Sequence, residues 1–267
     1  MLATCYLWSE VDAKRGACEI GSALHLQLLS FPVNIKHVIL YSDACSGQSR
    51  NQFTATALMH AVVNLPNIEI IDHKFLESGH TQMECDSMHS AIEFAKKKTA
   101  IYIPSQWVTI IRMARRKNHY YVVPLQFEDI YDFKEVTKST LKYSKVDSEG
   151  IKVNWMKIKW LRFSKNDAEH VLFKHKFDED FKKMRVAEVD KKGMLTTSLR
   201  GRELQRKYKA RQAISLTKNK DLLSLCKSRV IPVEYHDFYK GLPTNAKVND
   251  TLPSPDAEED EQDSDKE

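Results

Sequence analysis

Apolar and polar positions along residues 1–135 follow patterns that predict strands and helices in turn. Short apolar runs at residues 37–41 and 68–75 are typical of central parallel strands. Apolar residues at three- and four-residue spacing predict the helices between them. The complete predicted set alternates strand and helix, which indicates an α/β sheet, and consists of strands at 5–8, 37–41 and 68–75 and helices at 20–31, 51–65, 84–98 and 107–114.

The pattern weakens beyond about residue 135. Residues 153–163 alternate apolar with polar positions, which predicts a half-exposed strand paired with residues 171–173. Short helices are predicted at 202–209 and 220–227. The predicted domains are therefore a core over 1–135, a basic α+β appendage over 136–243 and a disordered acidic tail over 244–267.

Composition places the chain among intracellular proteins with one sizeable core. It has 267 residues, of which 42% are hydrophobic, and it contains no run of eighteen apolar residues. The first residues show neither the basic segment nor the apolar stretch of a secretory leader. Five cysteines without a C-x-x-C pair predict reduced thiols. We expect no association with a membrane.

The charge is unevenly distributed along the chain. The net charge of +5 combines −7 on residues 253–267 with +12 on residues 1–252. A body this basic suggests a polyanionic partner, and the alternative is a lysine-rich solvated surface. The basic residues predicted to bind nucleic acid are Arg115, Arg116, Lys117, Arg202, Arg206 and Lys207.

A first polar cluster follows the apolar strand at 37–41. Asp43 comes directly after the strand, which holds a carboxylate rigidly and suits a metal ligand. Gln48, Arg50 and Asn51 can hydrogen-bond phosphate oxygens. The alternative is that Asp43 caps a helix from within a polar loop.

A second polar cluster follows the strand at 68–75. Asp86, His89 and Glu93 share one helix face by their three- and four-residue spacing, and His80 precedes them. If that face meets Asp43, a cation can bind between them. The alternatives are that His80 hydrogen-bonds within its loop and that Glu93 lies on a solvated face.

Several of these segments together resemble a known family. The similarity is carried by Trp8-Ser9-Glu10, by Lys14-Arg15-Gly16 with Glu19, by residues 40–51 including Cys45, by residues 79–86 and by residues 157–162. They resemble an uncharacterised transposable-element-associated domain family of arthropod and other animal genomes. That family is similar to a ribonuclease H-like transposase or integrase core of the DDE type. Ala44 and Ser49 depart from its usual loop.

The resemblance implies a ribonuclease H-like three-layer core whose first strands and first acid are missing. Residues 4–8 would then be its third strand, Asp43 would follow the fourth, and Asp86 would lie on the closing helix. Acids at these places in the fold bind two Mg²⁺ or Mn²⁺ ions and cleave phosphodiesters. Glu10, Arg15, Glu19, Cys45 and His89 are secondary candidates.

Three functional hypotheses follow. The first is a remnant of a transposase-like two-metal nuclease, impaired by the missing acid. The second is a non-catalytic module that binds nucleic acid. DNA is favoured as the nucleic acid, and the nucleus is favoured over the cytoplasm. The third is a phosphoesterase with zinc or manganese on Asp43, His73, His80, Asp86 and His89. The first requires the carboxylates of Asp43 and Asp86 to face each other.

Overall fold

The computed structural model describes residues 3–77, 83–187 and 198–249. They form two compact units. The larger unit contains residues 15–77, 131–187 and 198–207, and the smaller unit contains residues 3–14, 83–130 and 208–249. Both units are built from interleaved segments, so they do not follow the predicted boundaries at 135 and 243.

Both units of the described chain contain helices and strands. In chain order the elements are β1 (Thr4–Leu7), α1 (Ala17–Leu29), β2 (His37–Ser42), α2 (Gln52–Asn64), β3 (Ile70–Phe75), α3 (Glu84–Lys96), α4 (Pro104–Met113), β4 (Tyr121–Pro124), α5 (Phe133–Thr140), β5 (Trp160–Ser164), β6 (Asp167–Lys174), β7 (Lys182–Arg185), β8 (Ile214–Ser215), α6 (Leu216–Lys227), α7 (His236–Lys240) and β9 (Thr244–Asn245). None of these helices is long and apolar enough to cross a membrane.

The larger unit is built on a five-stranded mixed sheet of order β2-β3-β5-β6-β7. Strands β2 and β3 run parallel, with His37 opposite Ile70. The remaining neighbours are antiparallel, and Ile70 lies opposite Ser164 on β5. The mixed α/β class expected from the sequence is therefore confirmed, whereas the specific ribonuclease H-like arrangement stays a prediction.

One face of this sheet is covered by helices. Ile71 and Phe75 of β3 and Phe163 of β5 point into the core because side chains alternate across a strand. Helix α2 lies against β3 and β5, and α1 and α5 pack against α2, so that nearly all of α2 is buried. Helices α1 and α2 approach closely, since a Cβ at Gly21 would lie 3.0 Å from the Cβ of Ala57.

The smaller unit has two apolar clusters. Strands β1 and β4 pair in parallel, and Val122 packs with Ile111 and Tyr120 beneath α3 and α4. Cys226 and Tyr239 belong to the second cluster, which is formed with α6 and α7, and β8 pairs with β9 beside it. The described strands of this unit are thus short and occur only in pairs.

Three sequence expectations were wrong. Residues 4–8 were expected in the same sheet as β2, but β1 pairs with β4, an apolar run that the sequence analysis did not identify as a strand. Residues 202–209 were expected to be helical, but they are irregular because Arg202 and Lys207 are bound to carboxylates of α5 and α1. In the segment 153–163, only residues from Trp160 onward form a strand. The other predicted helices and strands occur within a few residues of their expected bounds.

Candidate functional site

The loop after β2 is held by hydrogen bonds within itself. Asp43 is exposed, and its Oδ1 accepts from Ser49 Oγ at 3.2 Å and from the Cys45 N–H at 3.5 Å. Asn51 caps α2, because its Oδ1 accepts hydrogen bonds from the backbone N–H groups of Phe53 and Thr54 in the first turn of the helix. Asn51 therefore has a structural role in place of the predicted phosphate contact.

Of the other two predicted phosphate ligands in this loop, Arg50 contacts the buried Phe75 through its side chain, whereas Gln48 contacts Thr54 through its backbone. The backbone carbonyl of Gln48 accepts from the Thr54 hydroxyl at 2.6 Å. The half-buried guanidinium of Arg50 lies 5.9 Å from the ring centre of Phe75, and burial lowers its pKa. Arg50 Nε has no hydrogen-bond partner among the described residues.

Asp86 closes the first turn of α3. Its Oδ2 accepts from the Met83 N–H at 2.7 Å, which satisfies one of the free N–H groups at the start of the helix. His89 and Glu93 are exposed on the same helix, and Glu93 pairs with Lys96 at 2.9 Å. His80 lies outside the described residues.

These residues do not form the expected two-metal site within either unit. Asp43 belongs to the larger unit and Asp86 to the smaller one. Each carboxylate is exposed and accepts local donors, so neither is aimed at a second acid of its own unit. Over residues 3–77, 83–187 and 198–249, no three His, Cys, Asp or Glu side chains converge as metal ligands do. We therefore assign no step to Mg²⁺ or Mn²⁺.

The residues of the histidine-based hypothesis are also divided between the two units. His73 is buried in the larger unit, where its Nε2 lies 2.8 Å from Ser42 Oγ and burial lowers its pKa to about 3. His89 belongs to the smaller unit. The two described histidines of that set are thus not members of one cluster within a unit.

Two of the predicted nucleic-acid-binding residues near position 200 are bound to carboxylates of their own unit. Lys207 Nζ lies 2.8 Å from the buried Glu19 Oε1, and Arg202 contacts the Glu135 carboxylate at 3.1 Å. Arg206 is exposed. These contacts make Arg202 and Lys207 parts of the larger unit's framework.

The remaining predicted residues lie on the surface. Glu10 pairs with Lys218 at 2.7 Å in the smaller unit, and Arg15 is exposed in the larger one. Arg116 and Lys117 are exposed after α4, and Arg115 is half-buried beside them. This second basic group remains a candidate for phosphate contacts.

The outer face of the five-stranded sheet carries a row of side chains that the sequence analysis did not single out. Tyr41, Lys74, Trp160 and Lys174 lie directly opposite one another on β2, β3, β5 and β6. We call these four side chains the cation–aromatic row. It alternates ring and ammonium group across four strands, on the side of the sheet opposite the apolar core.

The members of the row contact one another closely. Lys74 Nζ lies 3.9 Å from the ring centre of Trp160 and 5.5 Å from that of Tyr41. Lys174 Nζ lies 5.1 Å from Trp160 and 4.5 Å from Phe181, whose ring meets Trp160 edge-on. The aromatic faces thus hold both ammonium groups at the surface by cation–π attraction.

A buried carboxylate, that of Asp72, holds Trp160 of the row in place by a hydrogen bond. Asp72 is 0% exposed, and its two oxygens accept from Arg162 Nε and Nη2 at 2.7 and 2.9 Å. Trp160 Nε1 donates to the same carboxylate at 2.9 Å, and His37 Nε2 lies 2.8 Å from it. Burial alone would raise the pKa of Asp72, but the hydrogen bonds from Arg162, Trp160 and His37 hold it below its ordinary value.

The row carries positive charge that nearby acids do not neutralise. Among the described residues, no carboxylate forms an ion pair with Lys74 or Lys174, whereas Lys183 on β7 pairs with Asp167 at 2.9 Å. The connection between β6 and β7 bears exposed acids at Asp178 and Asp180. The surface therefore has a basic aromatic centre and an acidic edge on the β6–β7 side.

The sequence indicated this surface by the alternation of residue types at every second position along β3 and β5. Asp72 and Lys74 alternate with the buried residues Ile71, His73 and Phe75 of β3. Trp160 and Arg162 alternate with the apolar residues Leu161 and Phe163 of β5. The pairing of these strands could not be inferred from the sequence, because residues 76–159 separate them. No family model, curated protein or solved structure matches the chain.

Proposed function

We propose that this chain is a nucleic-acid-binding module that uses the outer face of its five-stranded sheet. The observation that carries the proposal is the cation–aromatic row, in which Lys74 and Lys174 lie over aromatic rings without carboxylate partners among the described residues. Ammonium groups neutralise phosphates, and rings stack on bases. Nucleic acid is the polyanion that offers both.

The net charge of +12 on residues 1–252 supports the same partner. A basic body attracts a polyanion over a distance and raises its rate of encounter, while the row supplies the contact surface. We propose DNA as the first candidate and the nucleus as the compartment. Arg116 and Lys117 of the smaller unit are candidates for further phosphate contacts.

A transposable-element origin remains part of the proposal. The succession α1, β2, α2, β3 with β2 and β3 parallel is compatible with a remnant of a ribonuclease H-like core. We propose that such a remnant binds nucleic acid without cleaving it, since the carboxylates of Asp43 and Asp86 each accept local hydrogen bonds.

The test is the salt dependence of binding to a fluorescein-labelled DNA oligonucleotide. We expect the double substitution Lys74→Gln with Lys174→Gln to weaken binding and to reduce the slope of log K against log salt by roughly 1.4 to 1.8, since each lost phosphate contact removes about 0.7 to 0.9. An unchanged affinity and slope would exclude the row as the phosphate-binding surface.

The matched control is the double substitution Lys142→Gln with Lys152→Gln. Both lysines are exposed in the larger unit, outside the strands of the sheet, and the variant loses the same charge. We expect its slope to change much less. Equal losses in both double variants would show that net charge alone determines the binding.

A further inference from the structure

Two exposed rings lie at this surface, Tyr41 at one end of the cation–aromatic row and Phe177 beside Trp160. Tyr41 is 56% exposed on β2, which has no neighbouring strand on its outer side among the described residues. Phe177 is 46% exposed after β6, and its ring lies 6.3 Å from that of Trp160. Both rings therefore offer a free face at the surface where Lys74 and Lys174 have no carboxylate partner within the described part of the chain.

The central ring differs from these two in its accessibility. Trp160 contacts Lys74 at 3.9 Å, meets the edge of Phe181 and donates its Nε1 proton to the buried Asp72. It is held from several sides, so it supports the two ammonium groups. The rings that can stack on a ligand base are therefore those of Tyr41 and Phe177.

We infer that this surface binds single-stranded nucleic acid in preference to duplex, an inference that rests on the proposed function. In a duplex the base faces are stacked inside, and only phosphates reach the lysines. In a single strand the bases can turn outward and stack on exposed rings while the phosphates contact the ammonium groups between them.

The dimensions of the row suit a short single-stranded segment. Tyr41 and Lys174 lie on strands β2 and β6, which are three strand intervals apart. At about 4.8 Å per interval the row spans about 14 Å, which corresponds to a few nucleotides at 3.4 Å or more each. Asp178 and Asp180 lie beyond the β6 end, so we expect the phosphates to follow the side that contains Tyr41 and Lys74.

The experiment compares three labelled probes by fluorescence anisotropy with the full chain: single-stranded DNA and single-stranded RNA of about 12 nucleotides, and a DNA duplex of the same length. We expect both single strands to bind about tenfold or more tightly than the duplex. The RNA and DNA single strands bind with different affinities if the protein contacts the 2′-hydroxyl. Tighter binding of either single strand than of the duplex supports the inference.

The variants separate stacking from charge. Tyr41→Ala and Phe177→Ala are each expected to weaken single-strand binding about tenfold and to change duplex binding less than about twofold, because stacking on one ring contributes about 1 to 3 kcal/mol per base. Tyr41→Phe keeps the ring and should bind as the parent does. Tyr121→Ala, at an exposed tyrosine of the smaller unit, should leave both affinities unchanged.

The outcomes are distinct. If duplex and single strands bind equally and the ring variants bind as the parent does, while Lys74→Gln with Lys174→Gln binds more weakly, the preference for single strands is refuted and the proposed function stands. If no probe binds at low salt, both are refuted. If Tyr41→Phe loses as much affinity as Tyr41→Ala, the hydroxyl is the binding group and stacking is refuted.

Discussion

The guanidinium of Arg162 donates to both carboxylate oxygens of Asp72 across the antiparallel pair β3 and β5, at 2.7 and 2.9 Å. This pair lies at the base of the cation–aromatic row, where the same carboxylate also accepts from Trp160. Because Asp72 is fully buried, its charge depends on these donors. The ion pair thus positions the ring that carries Lys74 and Lys174.

The first prediction concerns this buried carboxylate. Asp72→Ala removes the acceptor of Arg162 and Trp160 and leaves their donors without a partner, so we expect the free energy of unfolding to fall by about 3 kcal/mol. Urea denaturation measures it. The control is Asp167→Asn, which removes a surface contact to Lys183 and should cost less than about 1 kcal/mol. Similar costs for both variants would contradict the structural role of Asp72.

The second prediction concerns buried histidines and pH. Burial, with a contribution from His60, lowers the pKa of His25 to about 4, and burial lowers that of His73 to about 3. In the unfolded chain both titrate near 6.5, so the unfolded state binds more protons as the pH falls below that value. We expect stability to decrease from pH 6.5 towards pH 4, by up to about 3 kcal/mol for His25 alone.

The measurement for this prediction is urea denaturation at successive pH values. His25→Leu removes one titrating group, so the variant should lose less stability between pH 6.5 and 4 than the parent does. The control is His89→Leu at an exposed position of α3, which should leave the pH dependence unchanged. Parallel pH curves for parent and His25→Leu would contradict the assignment of a neutral buried imidazole.

The third prediction concerns Lys207, a residue that the sequence suggested as a phosphate ligand. Its ammonium group contacts the fully buried Glu19, so Lys207→Gln should cost about 2 kcal/mol of stability. Thermal denaturation measures the loss. Lys209→Gln, at an exposed neighbour, should change stability by less than about 0.5 kcal/mol. A neutral effect of Lys207→Gln on stability, together with weaker binding, would restore its role as a phosphate ligand.

The fourth prediction concerns the acidic edge beside the row. Asp178→Asn with Asp180→Asn removes two negative charges beyond the β6 end of the row, so we expect the affinity for nucleic acid to rise about threefold at low salt. Anisotropy titrations measure it. The charge-matched control is Glu149→Gln with Glu203→Gln, both exposed in the larger unit. An equal rise in the control variant would indicate a general charge effect.

Much of the fold was predictable from local patterns. The apolar run of β2 and the helical spacing in α1 and α2 are each encoded by a few neighbouring residues, and the structure confirms these elements. The pairing of the strands was harder to predict from the sequence, because about 90 residues of chain separate the paired residues of β3 and β5 and more than 110 separate those of β1 and β4. Those pairings depend on tertiary packing, which periodicity does not report.

The candidate surface was even harder to predict from the sequence. Lys74, Trp160 and Lys174 come from three separate segments, and each taken singly is an ordinary strand residue. Their proposed function depends on the register that puts them opposite one another. Asp43 and Asp86, in contrast, were selected by sequence order, and the structure finds each in a local hydrogen-bonding role.

The most direct test of the central claim is to map where nucleic acid touches the protein. A single-stranded DNA probe substituted with bromouracil is cross-linked to the full chain by ultraviolet light, and the modified residues are identified by mass spectrometry. We predict cross-links at Tyr41 and at Phe177. Cross-links confined to residues 115–117 and 198–211 would contradict the assignment of binding to the outer face of the sheet.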